Sequence, residues 1–239
     1  MTPSASELKV KLFADGADLQ GMLEMNAKPF IHGLTTNPTL MHKVGIKDYR
    51  SFAQEVLREI TEKPISFEVF SDELADMKRQ GIEIASWGRN VYVKIPVTTT
   101  SGESTAEVID YLVNRDVKVN VTALMTPSQV IAVAKVLSPA VPSYVSVFAG
   151  RIADTGRDPV PIMKEAINIL KDHSNSELIW ASPRELLNVF QASDIGCHII
   201  TATSDILRKL ELVGKDLTGY SLDTVKMFRN DAISAGFTL

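Results

Sequence analysis

Asn90-Val91-Tyr92-Val93-Lys94-Ile95-Pro96-Val97 is a β-branched run carrying a single charge. Its alternation reads as a strand. Val91, Val93, Ile95 and Val97 share one face; Tyr92, Lys94 and Pro96 share the other. One reading of Lys94 is a strand-end lysine whose alkyl stem carries its ammonium to water. The other is chemical. Burial disfavours the charged form of an amine, and a neutral amine attacks a carbonyl to form a Schiff base. The rest of the chain has to decide between them.

Outward from this run the chain repeats one grammar, a short β-branched run followed by a longer amphipathic one. Strands are expected at Lys9–Asp15, Phe30–Thr35, Ile65–Phe70, Val91–Ile95, Val117–Thr122, Tyr144–Phe148, Glu177–Ala181 and Cys197–Thr201. Helices are expected between them, among others at Asp48–Ile60, Glu73–Ala85, Glu103–Asn114, Pro127–Leu137, Pro159–Leu170 and Pro183–Gln191. Several open on a cap signal such as Thr126-Pro127 or Ser182-Pro183. A last helix, Leu222–Ala235 (about residues 221–236), closes the chain. Eight β/α units in 239 residues is the arithmetic of an α/β fold, a (β/α)8 TIM barrel, here with an additional C-terminal helix. An open doubly wound sheet is the runner-up, but its glycine-rich G-x-G-x-x-G turn is missing. No linker or low-complexity segment divides the chain, so residues 1–239 read as one domain.

The strands carry a second message. Val117, Val119 and Val121 oppose Lys118, Asn120 and Thr122; Phe67 and Val69 oppose Ser66, Glu68 and Phe70. Val10, Leu12 and Ala14 oppose Phe13 and Asp15, and Val145 and Val147 oppose Ser146 and Phe148. A half-solvated antiparallel sheet alternates in the same way. Helical runs between strands favour parallel crossovers instead, and a parallel barrel has no solvated inner face. Polar groups then converge on the axis, most of them near C-terminal strand ends, where barrel enzymes hold their active sites.

The proposed contents are Lys94, the carboxylates Asp15 and Glu68, the amides Asn37 and Asn120, and the hydroxyls Thr35, Thr122 and Ser146. Lys94 would be the nucleophile. One carboxylate would move the proton at the hydroxyl whose C–C bond breaks, and the other would orient a water; amides and hydroxyls would hold a polyol. His32, His42, His173 and His198 lack metal-ligand spacing, so metal-dependent carbonyl chemistry of the zinc aldolase kind is not expected. His32 has the opposite parity from Thr35 and Asn37 and is expected to face the helices. Gly150-Arg151 and Ala181-Ser182-Pro183-Arg184 follow two strands, the second opening a helix, a setting that suits a phosphate or sulfonate. Solvated loop arginines are the alternative there.

Composition narrows the partners. The chain is 45% hydrophobic and 23% charged, as ordinary globular domains are. A net charge of −4 supplies no global field for nucleic acid or an anionic membrane. The first residues, Met1–Lys9, have no apolar core of the signal-peptide kind, and no apolar stretch approaches the ~18 residues of a span. The single cysteine, Cys197, makes no intramolecular disulfide and suits a cytoplasmic setting.

Taken in order, these residues resemble the transaldolase family, in its short-chain branch. Ala14-Asp15-Gly16-Ala17-Asp18 is similar to the family's A-D-T-G-D, and Gly33-Leu34-Thr35-Thr36-Asn37-Pro38-Thr39-Leu40 matches G-x-T-T-N-P-[ST]-L. Val93-Lys94-Ile95-Pro96 matches the strand of the Schiff-base lysine, and Asn120-Val121-Thr122 matches N-V-T. Ser146-Val147-Phe148-Ala149-Gly150-Arg151 resembles S-P-F-V-G-R, and Ala181-Ser182-Pro183-Arg184 resembles A-S-x-R. The resemblance implies a barrel that moves a dihydroxyacetone unit between sugar phosphates with no cofactor. By motif, Lys94 forms the imine, Asp15 is the acid/base, and Glu68 and Thr122 hold the catalytic water. Thr35, Asn37, Asn120 and Ser146 bind the donor, while Arg151, Ser182 and Arg184 bind its phosphate.

A sister group cleaves fructose 6-phosphate as a plain aldolase and carries Gln and Tyr where this chain has Glu68 and Phe148. Those two markers read as transferase. Gly16-Ala17, His32, the Asp194–Thr203 segment and the Ser/Thr-rich Thr98–Thr105 segment depart from the pattern. They leave a specialised sugar pathway open beside the pentose phosphate pathway. Short-chain relatives form rings of five or ten, which implies a homo-oligomer here.

Overall fold

The computed structural model describes residues 7–238; the stretch Met1–Lys9, expected to carry no targeting signal, begins outside them. Eight strands run β1 Lys11–Asp15, β2 Ile31–Thr35, β3 Ile65–Glu68, β4 Val91–Pro96, β5 Val119–Leu124, β6 Ser143–Val147, β7 Ser176–Trp180 and β8 Ile199–Thr203. They pair in sequence order, all parallel, and β8 closes on β1. The fold is the expected (β/α)8 barrel. Closure leaves the sheet without an edge.

The helices are α1 Leu19–Asn26, α2 Pro38–Lys43, α3 Tyr49–Glu59, α4 Leu74–Ala85, α5 Ala106–Val113 and α6 Pro127–Ala134. They continue as α7 Ala149–Ala153, α8 Val160–Leu170, α9 Leu187–Asp194, α10 Ser204–Arg208 and α11 Leu217–Ser234. Side-chain caps fix several starts. Asp48 accepts from the Ser51 amide at α3, and Thr126 with Gln129 forms a capping box at α6.

Strand alternation sorts the side chains into two cores. Val93, Val121, Val145 and Leu178 point outward and pack under the helices. Phe13, Tyr92, Tyr144, Ile179 and Ile199 point inward. The Tyr92 and Tyr144 rings stack at 4.1 Å, and Phe13 meets Tyr144 edge-on at 5.7 Å. Gly33 makes room for this plug, since a Cβ there would lie 2.5 Å from the Phe13 ring. The plug fills the N-terminal half of the barrel, and the polar inward residues sit above it.

Several boundaries differ from the sequence expectation, each for a local reason. The fifth strand begins at Val119 because Asp116 (φ 60°) turns the chain just before it. Lys118 therefore lies half-buried ahead of the strand, its ammonium 5.0 Å from the Tyr92 ring. The third strand ends at Glu68, and Phe70 leaves the barrel to lie 52% exposed against Tyr49. Glu103 is not helical: the Thr99 amide donates to its carbonyl at 2.8 Å in a loop closed by a Thr98–Ser104 bridge. The helix placed at Pro183 starts at Leu187, and the terminal helix starts at Leu217, capped by Asp216. His32 points away from the axis as expected, but is exposed to solvent. Cys197 is buried, and burial pushes its thiol up to about 12, which leaves it a packing residue.

No residue of α11 is buried, and Leu217, Val225 and Phe228 are exposed along it. Among the described residues, no helix is long and apolar enough to cross a membrane.

Candidate active site

The C-terminal ends of the strands surround a cavity of about 590 Å³. All twelve residues singled out in the sequence line it. They are Lys94, Asp15, Glu68, Thr122, Thr35, Asn37, Asn120, Ser146, Phe148, Arg151, Ser182 and Arg184. The barrel register brings them together. Glu68 pairs with Lys94 across β3 and β4, Lys94 with Asn120 across β4 and β5, and Asp15 with Thr35 across β1 and β2.

Lys94 is buried, with its side chain 8% exposed. Its ammonium lies 3.2 Å from Glu68 Oε2 and donates to the Thr36 carbonyl at 2.6 Å. The two groups expected together on the axis, Lys94 and Glu68, thus form a buried ion pair.

Asp15 faces the same space. The Thr35 hydroxyl donates to its Oδ1 at 2.8 Å and Asn37 Nδ2 to its Oδ2 at 3.2 Å. Asn37 is held in turn by α2, where its Oδ1 accepts the Leu40 amide at 2.9 Å as the helix cap. Burial pushes the Asp15 carboxyl above its ordinary value, and Glu68 adds to the rise; Lys94 and the Thr35 and Asn37 hydrogen bonds oppose it. A second network crosses the floor: Ser146 donates to Asn120 Oδ1 at 2.7 Å, and Asn120 Nδ2 donates to Ser66 Oγ at 3.0 Å. Thr122 reaches the Ile95 carbonyl at 3.5 Å, a weak contact that leaves its hydroxyl free to turn toward the cavity.

The anion region differs in detail from its sequence reading. Arg184 does not open a helix; it lies in the loop ahead of α9, with its amide on Asn188 Oδ1 at 2.8 Å. Its guanidinium grips Asp154 with two nitrogens, one of them Nε at 2.9 Å from Oδ1. That guanidinium holds the Asp154 carboxyl below the usual carboxylate range. Arg151 is exposed on α7 beside it.

A family model described as Transaldolase/Fructose-6-phosphate aldolase matches residues 12–237. The chain belongs to the transaldolase/fructose-6-phosphate aldolase family. Curated relatives agree. A probable transaldolase of Sulfurihydrogenibium sp. is 34% identical over 203 residues, 84% of this chain and 88% of the relative. One of Thermoanaerobacter sp. is 32% identical over 231 residues, 96% of this chain and all of the relative (100%). One of Clostridium acetobutylicum is 35% identical over 205 residues, 84% and 89% of the two chains. The protein is an enzyme of the transaldolase type.

For a member of this family, the geometry adds residues that sequence reading passed over. Thr201 on β8 lies 2.6 Å from the Thr35 hydroxyl. Thr35 has one proton and gives it to Asp15, so with Asp15 ionised Thr201 is the donor. The alternation Ile199, Thr201, Thr203 carried that signal. Lys43, Thr203 and Asp205 line the cavity as well, from α2, β8 and α10. Tyr49 binds the backbone of Glu68 from outside the barrel, through a contact that no local pattern announces.

Proposed function

We propose that this enzyme is a class I transaldolase. It would move a dihydroxyacetone unit from a ketose phosphate of the fructose 6-phosphate or sedoheptulose 7-phosphate type to an aldose phosphate. One observation carries the reading: a buried lysine amine 3.2 Å from a carboxylate, in a cavity shared with a second carboxylate. Lys94 gives a proton to Glu68 and its freed lone pair attacks the ketose carbonyl. The carbinolamine takes a proton and loses water through Glu68 and a water held by Thr122, giving the imine. Asp15 removes the C4 hydroxyl proton as the C3–C4 bond breaks. Its electrons pass to the imine nitrogen as an enamine, and the first aldose leaves. The acceptor aldehyde then takes the enamine carbon, Asp15 returns its proton to the new hydroxyl, and water releases the new ketose.

Asn120, Ser146, Thr35 and Asn37 supply donors and acceptors for the three-carbon unit. Arg151, Ser182 and Arg184 sit on one side of the cavity mouth and suit a phosphate. Glu68 and Phe148, rather than Gln and Tyr, favour transfer over a plain aldolase. The exposed apolar residues of α11 support a homo-oligomer in which they are covered, a ring of five or ten by the resemblance; light scattering measures its mass.

The deciding test is borohydride reduction in the presence of fructose 6-phosphate, followed by peptide mass mapping. A reduced three-carbon adduct on Lys94 is expected. Lys94→Arg should give no adduct and no turnover, because a guanidinium stays protonated. An adduct on a different lysine refutes the reading.

A further inference from the structure

The ladder between β2 and β3 stops short beside the proposed catalytic pair. Their ladder holds at Leu34↔Ile65 and Thr35↔Ser66, and the Thr36 amide still donates to the Ser66 carbonyl at 3.3 Å. The parallel pattern would next join the Glu68 amide to the Thr36 carbonyl, and then an amide at position 38 to the Glu68 carbonyl. Position 38 is Pro38, which has no N–H and turns the chain into α2. Both rungs are lost, and each freed backbone group has a replacement partner. On the inside, the Thr36 carbonyl takes Lys94 Nζ at 2.6 Å. On the outside, the Tyr49 hydroxyl accepts the Glu68 amide at 2.7 Å and donates to the Glu68 carbonyl at 3.2 Å.

We propose that Tyr49 is a positioning residue for the reaction, its hydroxyl standing in for the missing strand rungs and so fixing the backbone of Glu68 opposite Lys94. The inference rests on the role given to Glu68 above. The phenol suits the task. Its ring is held edge-on by Phe70 at 4.4 Å, Trp87 at 5.6 Å and Phe67 at 6.0 Å. It stands on the first residue of α3, next to the capping Asp48. Burial raises its ionisation well above that of an ordinary tyrosine, so the hydroxyl keeps the proton it donates. Without that hydroxyl the Glu68 amide and carbonyl have no strand to fall back on. The peptide can then rotate and carry the carboxylate away from the amine.

The experiment compares Tyr49→Phe, Glu68→Gln and the double variant in a transfer assay with fructose 6-phosphate and erythrose 4-phosphate. Tyr49→Phe keeps the ring and its packing. It should lower kcat on the order of 10-fold and leave KM within about twofold, since the lost alignment serves the transition state and not the bound sugar. The loss should disappear in the Glu68→Gln background, because the two residues act on one step. Site-specific p-aminophenylalanine at position 49 restores the donor to the Glu68 carbonyl but only a weak acceptor for the Glu68 amide, so kcat should recover in part, to a value between Tyr49→Phe and wild type. It also serves as the test variant should Tyr49→Phe fail to fold. Wild-type kcat in Tyr49→Phe, or an undiminished loss in the double variant, overturns the positioning role. Full activity in Glu68→Gln overturns instead the reading of the site on which it rests.

Discussion

Gly150 and Ser182 meet backbone to backbone: a Cβ on Gly150 would stand 1.5 Å from the Ser182 carbonyl oxygen. This approach ties α7, which follows β6 and carries Arg151, to the turn after β7, which carries Arg184. Ser182 contributes by taking a left-handed conformation (φ 59°). Gly150→Ala has no flexible neighbour to displace, so the helix and the turn must part. A loss of about 2–4 kcal/mol is expected, seen as a fall in Tm on the order of 10 °C. Turnover of phosphorylated donors should suffer more than that of unphosphorylated ones. An unchanged melting curve would contradict the contact.

Asp15 ties stability to pH. Its carboxyl titrates higher in the folded protein than in the unfolded chain, chiefly through burial. The folded state therefore binds that proton more tightly, and stability falls as pH rises from the unfolded value, about 3.9, to the raised folded one. Asp15→Asn cannot ionise. Its Tm should rise relative to wild type as pH climbs through that window and hold the gain at neutral pH, while kcat drops about 10²- to 10⁴-fold. A Tm difference independent of pH would rule out this linkage.

Phe148 lines the cavity and is partly buried against the inner aromatic plug. A hydroxyl at its para position would place a new hydrogen-bonding group near the water assigned to Thr122. Phe148→Tyr should therefore raise dihydroxyacetone release from fructose 6-phosphate without an acceptor, relative to transfer onto erythrose 4-phosphate. A ratio that stays at the wild-type value speaks against Phe148 as the residue that divides the two outcomes.

Arg184 is held ready by Asp154 rather than by a helix start. Removing a charge-assisted hydrogen bond costs about 1.5–3 kcal/mol, so Arg184→Ala should lose about 10- to 150-fold in kcat/KM on a ketose phosphate. The loss should fall mainly on KM and shrink for the unphosphorylated ketose. Equal losses on both would make Arg184 a scaffold residue tied to Asp154.

The barrel was legible because alternation survives in single strands. Val91 to Val97 and Val119 to Thr122 show an apolar outer face and a selective inner one, and such parity is enough to place Lys94, Asn120 and Ser146 on the axis. What escaped depends on where the chain turns. Val117 and Lys118 look like strand, but Asp116 at positive φ delays β5 by two residues. Ser182-Pro183 looks like a helix start, but Ser182 is left-handed and α9 waits until Leu187. Thr36, Tyr49 and Asp154 act through partners 58, 19 and 30 residues away. No local period encodes such contacts.

The stacked rings of Tyr92 and Tyr144 and the edge of Phe13 have a consequence for traffic. They seal the barrel's lower half, and beneath them Lys11 and Glu177 clasp at 2.8 Å. The reaction chamber is a cup with one mouth, not a tunnel. Whatever enters must leave by the same opening. For the transfer proposed above, a sealed floor implies an order: the first aldehyde leaves through the mouth by which the second arrives.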